Sequence, residues 1–64
     1  MQLIETINGQ DGVRAEIYSA KDGHTLRLVD ADGMVLRQST EDKSIHWMRE
    51  QAEHWIAQRV QLNG

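Results

Sequence analysis

The fold is decided by the stretch from Leu26 to Ser39, which reads L-R-L-V-D-A-D-G-M-V-L-R-Q-S. Leu26 and Leu28 flank Arg27 before Asp30-Ala31-Asp32-Gly33, and Leu36 and Arg37 follow it; a period of two is typical of a strand buried on one face. The glycine supplies the positive φ angle that a tight connection needs. The stretch therefore predicts a strand, a turn and a second strand that pairs antiparallel with the first.

Two more glycine clusters, Asn8-Gly9-Gln10-Asp11-Gly12 and Lys21-Asp22-Gly23, divide the N-terminal half in the same way. The chain has no proline, so every run between the turns is free to donate backbone hydrogen bonds. We predict an antiparallel meander of three or four strands. The strands are expected at about Gln2 to Ile7, Val13 to Ala20, His24 to Asp30 and Met34 to Ser39. The first strand could pair within its own sheet or with the edge of a second subunit.

After Ser39 the apolar period changes to three and four residues, which predicts one amphipathic C-terminal helix. The residues of its core stripe are Ile45, Met48, Ala52, Trp55, Ile56 and Arg59. Ser39 and Thr40 are candidate N-caps, with Glu41 and Asp42 at the positive end of the helix dipole, and Ser44 is the alternative after a loop. Asn63-Gly64 is the expected C-terminal cap. The predicted fold is α+β, ββββα, with residues 1–64 as a single domain.

Composition narrows the function classes. A chain of 64 residues buries only about 60% of its unfolded surface, so self-association would help its stability. There is no cysteine, which excludes disulfides and thiolate metal sites and favours the cytoplasm. The N-terminus resembles no signal peptide, and no apolar run is long enough to cross a bilayer. A net charge of −3 disfavours general binding to nucleic acid but does not exclude a local basic face.

A single helix covers only one face of a sheet, so the other face is expected to stay open. Val13, Ala15, Ile17, Leu26, Leu28, Met34 and Leu36 are the residues expected to face the helix. Val35 is expected to point outward. The open face should hold Arg14, Tyr18, Arg27 and Arg37, with Glu16 among them. Guanidinium groups beside an aromatic ring can contact a phosphate backbone and stack on a base, although cross-strand ion pairing explains the same residues.

Several residues of the predicted strands and turns also match the repeat pattern of a known protein family. They are Ile17-Tyr18, Lys21-Asp22-Gly23, Arg27-Leu28, Asp32-Gly33, Leu36 and Ser39. Over about Ala15 to Ile56 the chain resembles the YegP-like bacterial domain of unknown function, whose repeat reads roughly R-L-x-x-x-(N/D)-G-x-x-I-x-x-S. Thr40-Glu41-Asp42 replaces an aromatic-containing segment of that family, and the helix here is longer and carries two tryptophans. The resemblance implies a small bacterial α+β unit that occurs in tandem or as pairing single copies, with no established catalytic residues.

Several residue patterns could carry chemistry. His46, Glu50 and His54 recur at four-residue steps, as helical metal ligands would, but a metal site would need a fourth group, and solvent-facing residues explain the spacing equally well. Asp30-x-Asp32-Gly33 imitates the start of a calcium loop without the remaining ligands and is interpreted as a turn. No nucleophile elbow or phosphate-binding glycine loop is present. We therefore predict a protein that is not an enzyme and uses neither a cofactor nor a metal.

A second, uncharged stripe on the helix is expected almost opposite the core stripe. It consists of Trp47, Gln51, His54, Gln58 and Gln61. Aromatic residues bounded by neutral polar groups are enriched where proteins meet, although Trp47 could instead fold back against Lys43. The predicted function is binding or regulation through protein-protein contacts, as a homodimer. The alternatives are nucleic-acid or anion binding on the arginine face, and a small inhibitor whose acidic turns mask a basic partner.

Overall fold

The computed structural model describes the backbone of residues 1–63 and the side chains of residues 1–58. One antiparallel sheet has the strand order β1-β2-β3-β4, and a single helix follows it among these residues. The elements are β1 (Gln2–Asn8), β2 (Arg14–Ala20), β3 (Gly23–Val29), β4 (Val35–Glu41) and α1 (Ile45–Asn63). The predicted ββββα meander is confirmed. The first strand pairs with β2 of its own chain.

The core lies between α1 and the two central strands. Its buried side chains are Ala15, Ile17, Leu26 and Leu28 from the sheet and Met48, Ala52 and Trp55 from the helix. These positions alternate along β2 and β3 and recur at steps of three and four along α1, as predicted. Because α1 runs over β2 and β3, the helix-facing side of β4 is left beside the helix and not beneath it.

A β-bulge near the start of β4 changes the face that Arg37 occupies. Val35 pairs with Val29, yet Arg37, two residues later, pairs with the adjacent Leu28, so Leu36 is an extra residue in the strand. Arg37 consequently shares the helix-facing side with Leu28, while Val35 stays on the open face as predicted. The prediction that Arg37 lies on the open face is wrong.

Leu36 packs against the core as predicted, but Met34 does not. Met34 precedes β4 in the turn, where it is 65% exposed. The turn is held by the Asp30 carboxylate, which accepts the backbone N–H groups of Asp32 and Met34 at 2.9 Å each. The interpretation of Asp30-x-Asp32-Gly33 as a turn is therefore confirmed.

The helix begins at Ile45 with Ser44 as its N-cap. The backbone N–H of Trp47 donates to the Ser44 hydroxyl at 3.2 Å, which satisfies one of the free donors of the first turn. Ser44, the alternative cap, is therefore the correct one, because Ser39, Thr40 and Glu41 belong to β4. Three predictions fall outside the described residues: the cap at Asn63-Gly64 and the side-chain positions of Arg59 and Gln61.

Candidate protein-binding surface

A cleft of about 280 Å³ lies between β4 and α1. Its floor carries Arg37, Ser39 and Glu41, and its wall carries Trp47, Gln51 and Trp55. Every second residue of β4 faces the helix side, and these residues are polar. An apolar helix face packed over their charged groups would remove those groups from water, which is unfavourable. We call the cleft together with the outer edge of β4 the β4–α1 surface.

The two indoles of α1 lie about two helical turns apart and both border the cleft. Trp55 is only 6% exposed, and the guanidinium of Arg37 stacks 4.2 Å from the centre of its ring. Arg37 Nη1 also donates to Gln58 Oε1 at 3.3 Å. Trp47 is half-buried, and Lys43 Nζ lies 5.6 Å from its ring centre. Trp47 therefore offers an accessible apolar surface beside a positive charge, whereas the ring of Trp55 is covered by Arg37 and by the core.

The floor of the cleft has opposite charges at its two ends. Arg37 lies at one end and Glu41 at the other, with Ser39 between them on the same side of the strand. The Ser39 hydroxyl donates to the Glu41 carboxylate. The floor thus offers a cation, a hydroxyl and an anion in sequence along one edge strand.

The outer edge of β4 offers backbone hydrogen-bonding groups. Ala20 and Gly23 close a two-residue connection, and in such hairpins the closing pair exchanges both hydrogen bonds, with bonded pairs at every second position after it. This alternation directs the backbone groups of Arg37, Ser39 and Glu41 toward β3. The N–H and C=O groups of Gln38 and Thr40 must then point away from the sheet. Among the described residues no strand pairs with this edge.

The predicted interface stripe flanks the core and does not lie opposite to it. Trp47 packs against the core cluster and borders the cleft with Gln51. Gln58 bonds to Arg37, and His54 is exposed. The position predicted for the stripe is therefore wrong for Trp47, which contacts Lys43 as the alternative interpretation held. Three of the four stripe residues whose side chains the structure describes, Trp47, Gln51 and Gln58, nevertheless lie on the side of α1 that faces β4.

The open face brings together three of the four residues predicted for anion binding. The guanidinium of Arg27 lies 4.8 Å from the ring centre of Tyr18, and Arg27 Nε donates to Gln38 at 2.7 Å. Glu16 accepts hydrogen bonds from Tyr18 Oη at 2.7 Å and from Arg14 Nε at 3.0 Å. The predicted cross-strand ion pairing is present only in part, because the Arg14–Glu16 ion pair lies within β2 and Arg27 crosses to Gln38 and Tyr18 and not to Glu16.

The hydrogen bonds of this open-face network shift the pKa values of Glu16 and Tyr18. The hydroxyl of Tyr18 holds the pKa of Glu16 below its usual value, with a smaller contribution from Arg14. The same hydrogen bond raises the pKa of Tyr18, because loss of the phenolic proton would place a second negative charge beside the carboxylate. On the helix-facing side, the hydrogen bond from Arg49 likewise lowers the pKa of Glu5, at distances of 2.8–2.9 Å.

Replacement of Glu16 by glutamine should flatten the acid limb of the stability curve. The pKa of Glu16 is lowered by folding, so its contribution is fully present above the unfolded pKa of about 4.3 and is lost as the pH falls through the lower folded value. Urea unfolding of both proteins between neutral pH and acid should give two curves that converge at low pH. Two curves that stay parallel throughout would contradict this assignment.

His46 and Glu50 form an exposed pair on α1, with His46 Nε2 2.9 Å from Glu50 Oε1. In the part of the chain that the structure describes, no three His, Cys, Asp or Glu residues converge as metal ligands. Over the same residues, no helix combines the length and the apolar character needed to cross a bilayer.

Comparisons with known proteins give no relative for this chain. No protein-family model, curated protein or solved structure matches it. The resemblance to the YegP-like domain stays a prediction.

Proposed function

We propose that this chain is a small non-enzymatic binding protein that acts through contacts with another protein chain at the β4–α1 surface. The observation that carries this proposal is a cleft between an exposed edge strand and a helix. Protein modules that capture an extended peptide by strand addition use main-chain hydrogen bonds for affinity and adjacent pockets for specificity. The β4–α1 surface has both parts.

The two parts would act on alternate residues of a bound strand. The outward backbone groups of Gln38 and Thr40 continue the sheet into the partner strand. Side chains of the partner that point to the helix side then enter the cleft beside Trp47 and Trp55. Large aromatic anchors of this kind dominate the binding energy of protein interfaces.

The two other functions considered from the sequence have less support. Arg14 is already ion-paired with Glu16, whose carboxylate would repel a phosphate on this face, and the chain has a net charge of −3. The acidic residues needed by an inhibitor of a basic partner are spread over several turns, and the Asp30 carboxylate is bonded within its own turn.

A proline in the edge strand tests the proposal. Gln38→Pro removes an N–H group that points away from the sheet, where proline is tolerated, while Gln38→Ala removes the same side chain and keeps the donor. Peptides are selected from a random heptapeptide display library on the wild-type protein and titrated against all three proteins by calorimetry. We expect peptides that bind the wild type and Gln38→Ala similarly and bind Gln38→Pro at least about tenfold more weakly.

Two results would reject strand addition at β4. The first is a selection that enriches no peptide over the uncoated support. The second is a set of peptides that bind Gln38→Pro as well as Gln38→Ala. Circular dichroism of each variant establishes that the comparison is made between folded proteins.

A further inference from the structure

We infer that the strand added to β4 is β4 of a second copy of this chain, in the one register that places Arg37 opposite Glu41 of the second copy. This inference rests on the proposed function, because it names the partner of the same β4–α1 surface. It turns two four-stranded sheets into one continuous sheet of both chains, with a two-fold axis at Ser39.

Symmetry limits the registers that such a pair can use. Homodimers usually form about a two-fold axis, so one edge strand pairs with its own copy in the antiparallel direction. Residues directly opposite each other in a sheet point to the same face. With both helices on one face, helix-facing residues must therefore lie opposite helix-facing residues, which are Arg37, Ser39 and Glu41 in each copy.

Charge selects one register from this set. A pair centred on Arg37 or on Glu41 places like charges opposite each other on the axis. A pair centred on Gln38 or Thr40 places Ser39 opposite a charged residue and leaves the charges unmatched. The pair centred on Ser39 places Arg37 opposite Glu41 twice, once on each side of the axis. Opposite-charge cross-strand pairs are favourable, and like charges in that position are unfavourable.

The backbone supports the same register. In the pair centred on Ser39, Gln38 lies opposite Thr40 of the second copy, and these are the residues whose N–H and C=O groups point outward. They would form the hydrogen-bonded positions of the new ladder. The two charge pairs and the Ser39 pair then occupy non-hydrogen-bonded positions, where side chains approach most closely and Cα atoms lie about 4.5 Å apart.

The β1 edge is the other place where two copies could pair. It exposes Leu3 and Ile4, with 47% and 45% of their surfaces accessible. However, a bulge between Leu3 and Glu5 interrupts its ladder. Nothing along β1 complements its own copy in charge. Pairing at β4 also joins the two clefts, so that Trp47 and Trp55 of both chains line one trough.

Charge exchange between two variants tests the register. Arg37→Glu gives a strand with two acidic residues, and Glu41→Arg gives a strand with two basic residues. In sedimentation velocity experiments, each variant alone should self-associate at least about tenfold more weakly than the wild type. An equimolar mixture of the two should recover association, because each acidic residue then lies opposite a basic one.

A cysteine on the axis tests the geometry independently. The chain has no cysteine of its own, so Ser39→Cys introduces one thiol per protomer. The Cα separation of the Ser39 pair, about 4.5 Å, falls within the range that a disulfide spans. Mild oxidation should give a covalent dimer of Ser39→Cys, whereas Leu3→Cys on the exposed β1 edge should stay largely monomeric.

The outcomes separate this inference from the proposed function. Recovery on mixing together with cross-linking at Ser39 supports the dimer. A wild-type chain that sediments as a monomer up to its solubility limit overturns the inference, as does cross-linking at Leu3 without cross-linking at Ser39. A monomer whose selected peptides still discriminate Gln38→Pro retains the proposed function with a partner other than itself.

Discussion

Gly23→Ala should destabilise the protein by about 3 kcal/mol or more, since a Cβ there combines backbone strain with a clash. The φ angle of Gly23 is 136°, which L-residues rarely adopt. An added Cβ would overlap the carbonyl oxygen of Glu41 and would lie 2.9 Å from Cα of Asp42. Both neighbours are backbone atoms, so neither can move without displacing the end of β4.

Gly33→Ala is the matched control for this prediction. Gly33 also has a positive φ, of 87°, but no atom lies within 4 Å of the position that an added Cβ would take, so this variant reports the strain of the backbone angle alone. We expect a cost of about 1 kcal/mol for Gly33→Ala in equilibrium urea unfolding. Equal losses for the two variants would mean that the end of β4 shifts freely and that Gly23 has no special packing role.

The expected loss is large relative to the total stability. A domain of this length has about 3–10 kcal/mol of unfolding free energy, so Gly23→Ala could leave a substantial unfolded population. The folded fraction should show its largest amide chemical-shift changes at Glu41 and Asp42. Because Glu41 ends the floor of the cleft, a displaced β4 should also weaken binding at the β4–α1 surface.

The sequence predicts the order of elements because its signals there are local. Each glycine turn and the change of apolar period after Ser39 act within a few residues, and the four strands and the helix follow from them. The buried set of Ala15, Ile17, Leu26 and Leu28 follows from simple alternation along β2 and β3. The helical period places Trp55 in the core for the same reason.

The predicted position of Arg37 is wrong because alternation fails at a bulge. One extra residue reverses the faces of every residue beyond it, and the residue type of Arg37 carries no sign of this. A signal is nevertheless present, because Val35 and Leu36 are adjacent apolar residues in a strand that should alternate. The bulge of β1 falls at another such pair, Leu3 and Ile4. Adjacent apolar residues within a predicted alternating strand are therefore worth testing as bulges.

The cleft could not be predicted because it depends on where α1 crosses the sheet. A helical period identifies the apolar stripe but not which strands that stripe covers. The helix lies over β2 and β3, so residues at the flank of the stripe, Trp47 and Gln51, face β4. At about 100° per residue, Trp47 and Gln51 lie roughly 80–120° from the centre of the core stripe, so helix geometry itself places them at its flank, and the prediction that they lie almost opposite the core misjudged this angle.

Trp55→Ala should have the other large effect, a loss of about 3–5 kcal/mol of unfolding free energy. Trp55 is 6% exposed and packs against the sheet residues of the core, so truncation leaves a cavity that the short chain has little means to fill. The change also removes the ring on which Arg37 stacks. Far-UV circular dichroism in urea measures the loss without relying on tryptophan fluorescence.

Trp47→Ala provides the comparison within the same helix. Trp47 is half-buried and packs at the margin of the core beside Lys43, so its truncation should cost markedly less, about 1–2 kcal/mol. The effects of the two substitutions on binding should not follow the order of their stability losses, because both indoles border the cleft. Trp47→Ala should therefore weaken binding or self-association clearly while leaving the protein folded. If Trp47→Ala instead destabilised the fold as much as Trp55→Ala and left association unchanged, the half-buried indole would be a core residue and the cleft would lose its principal anchor.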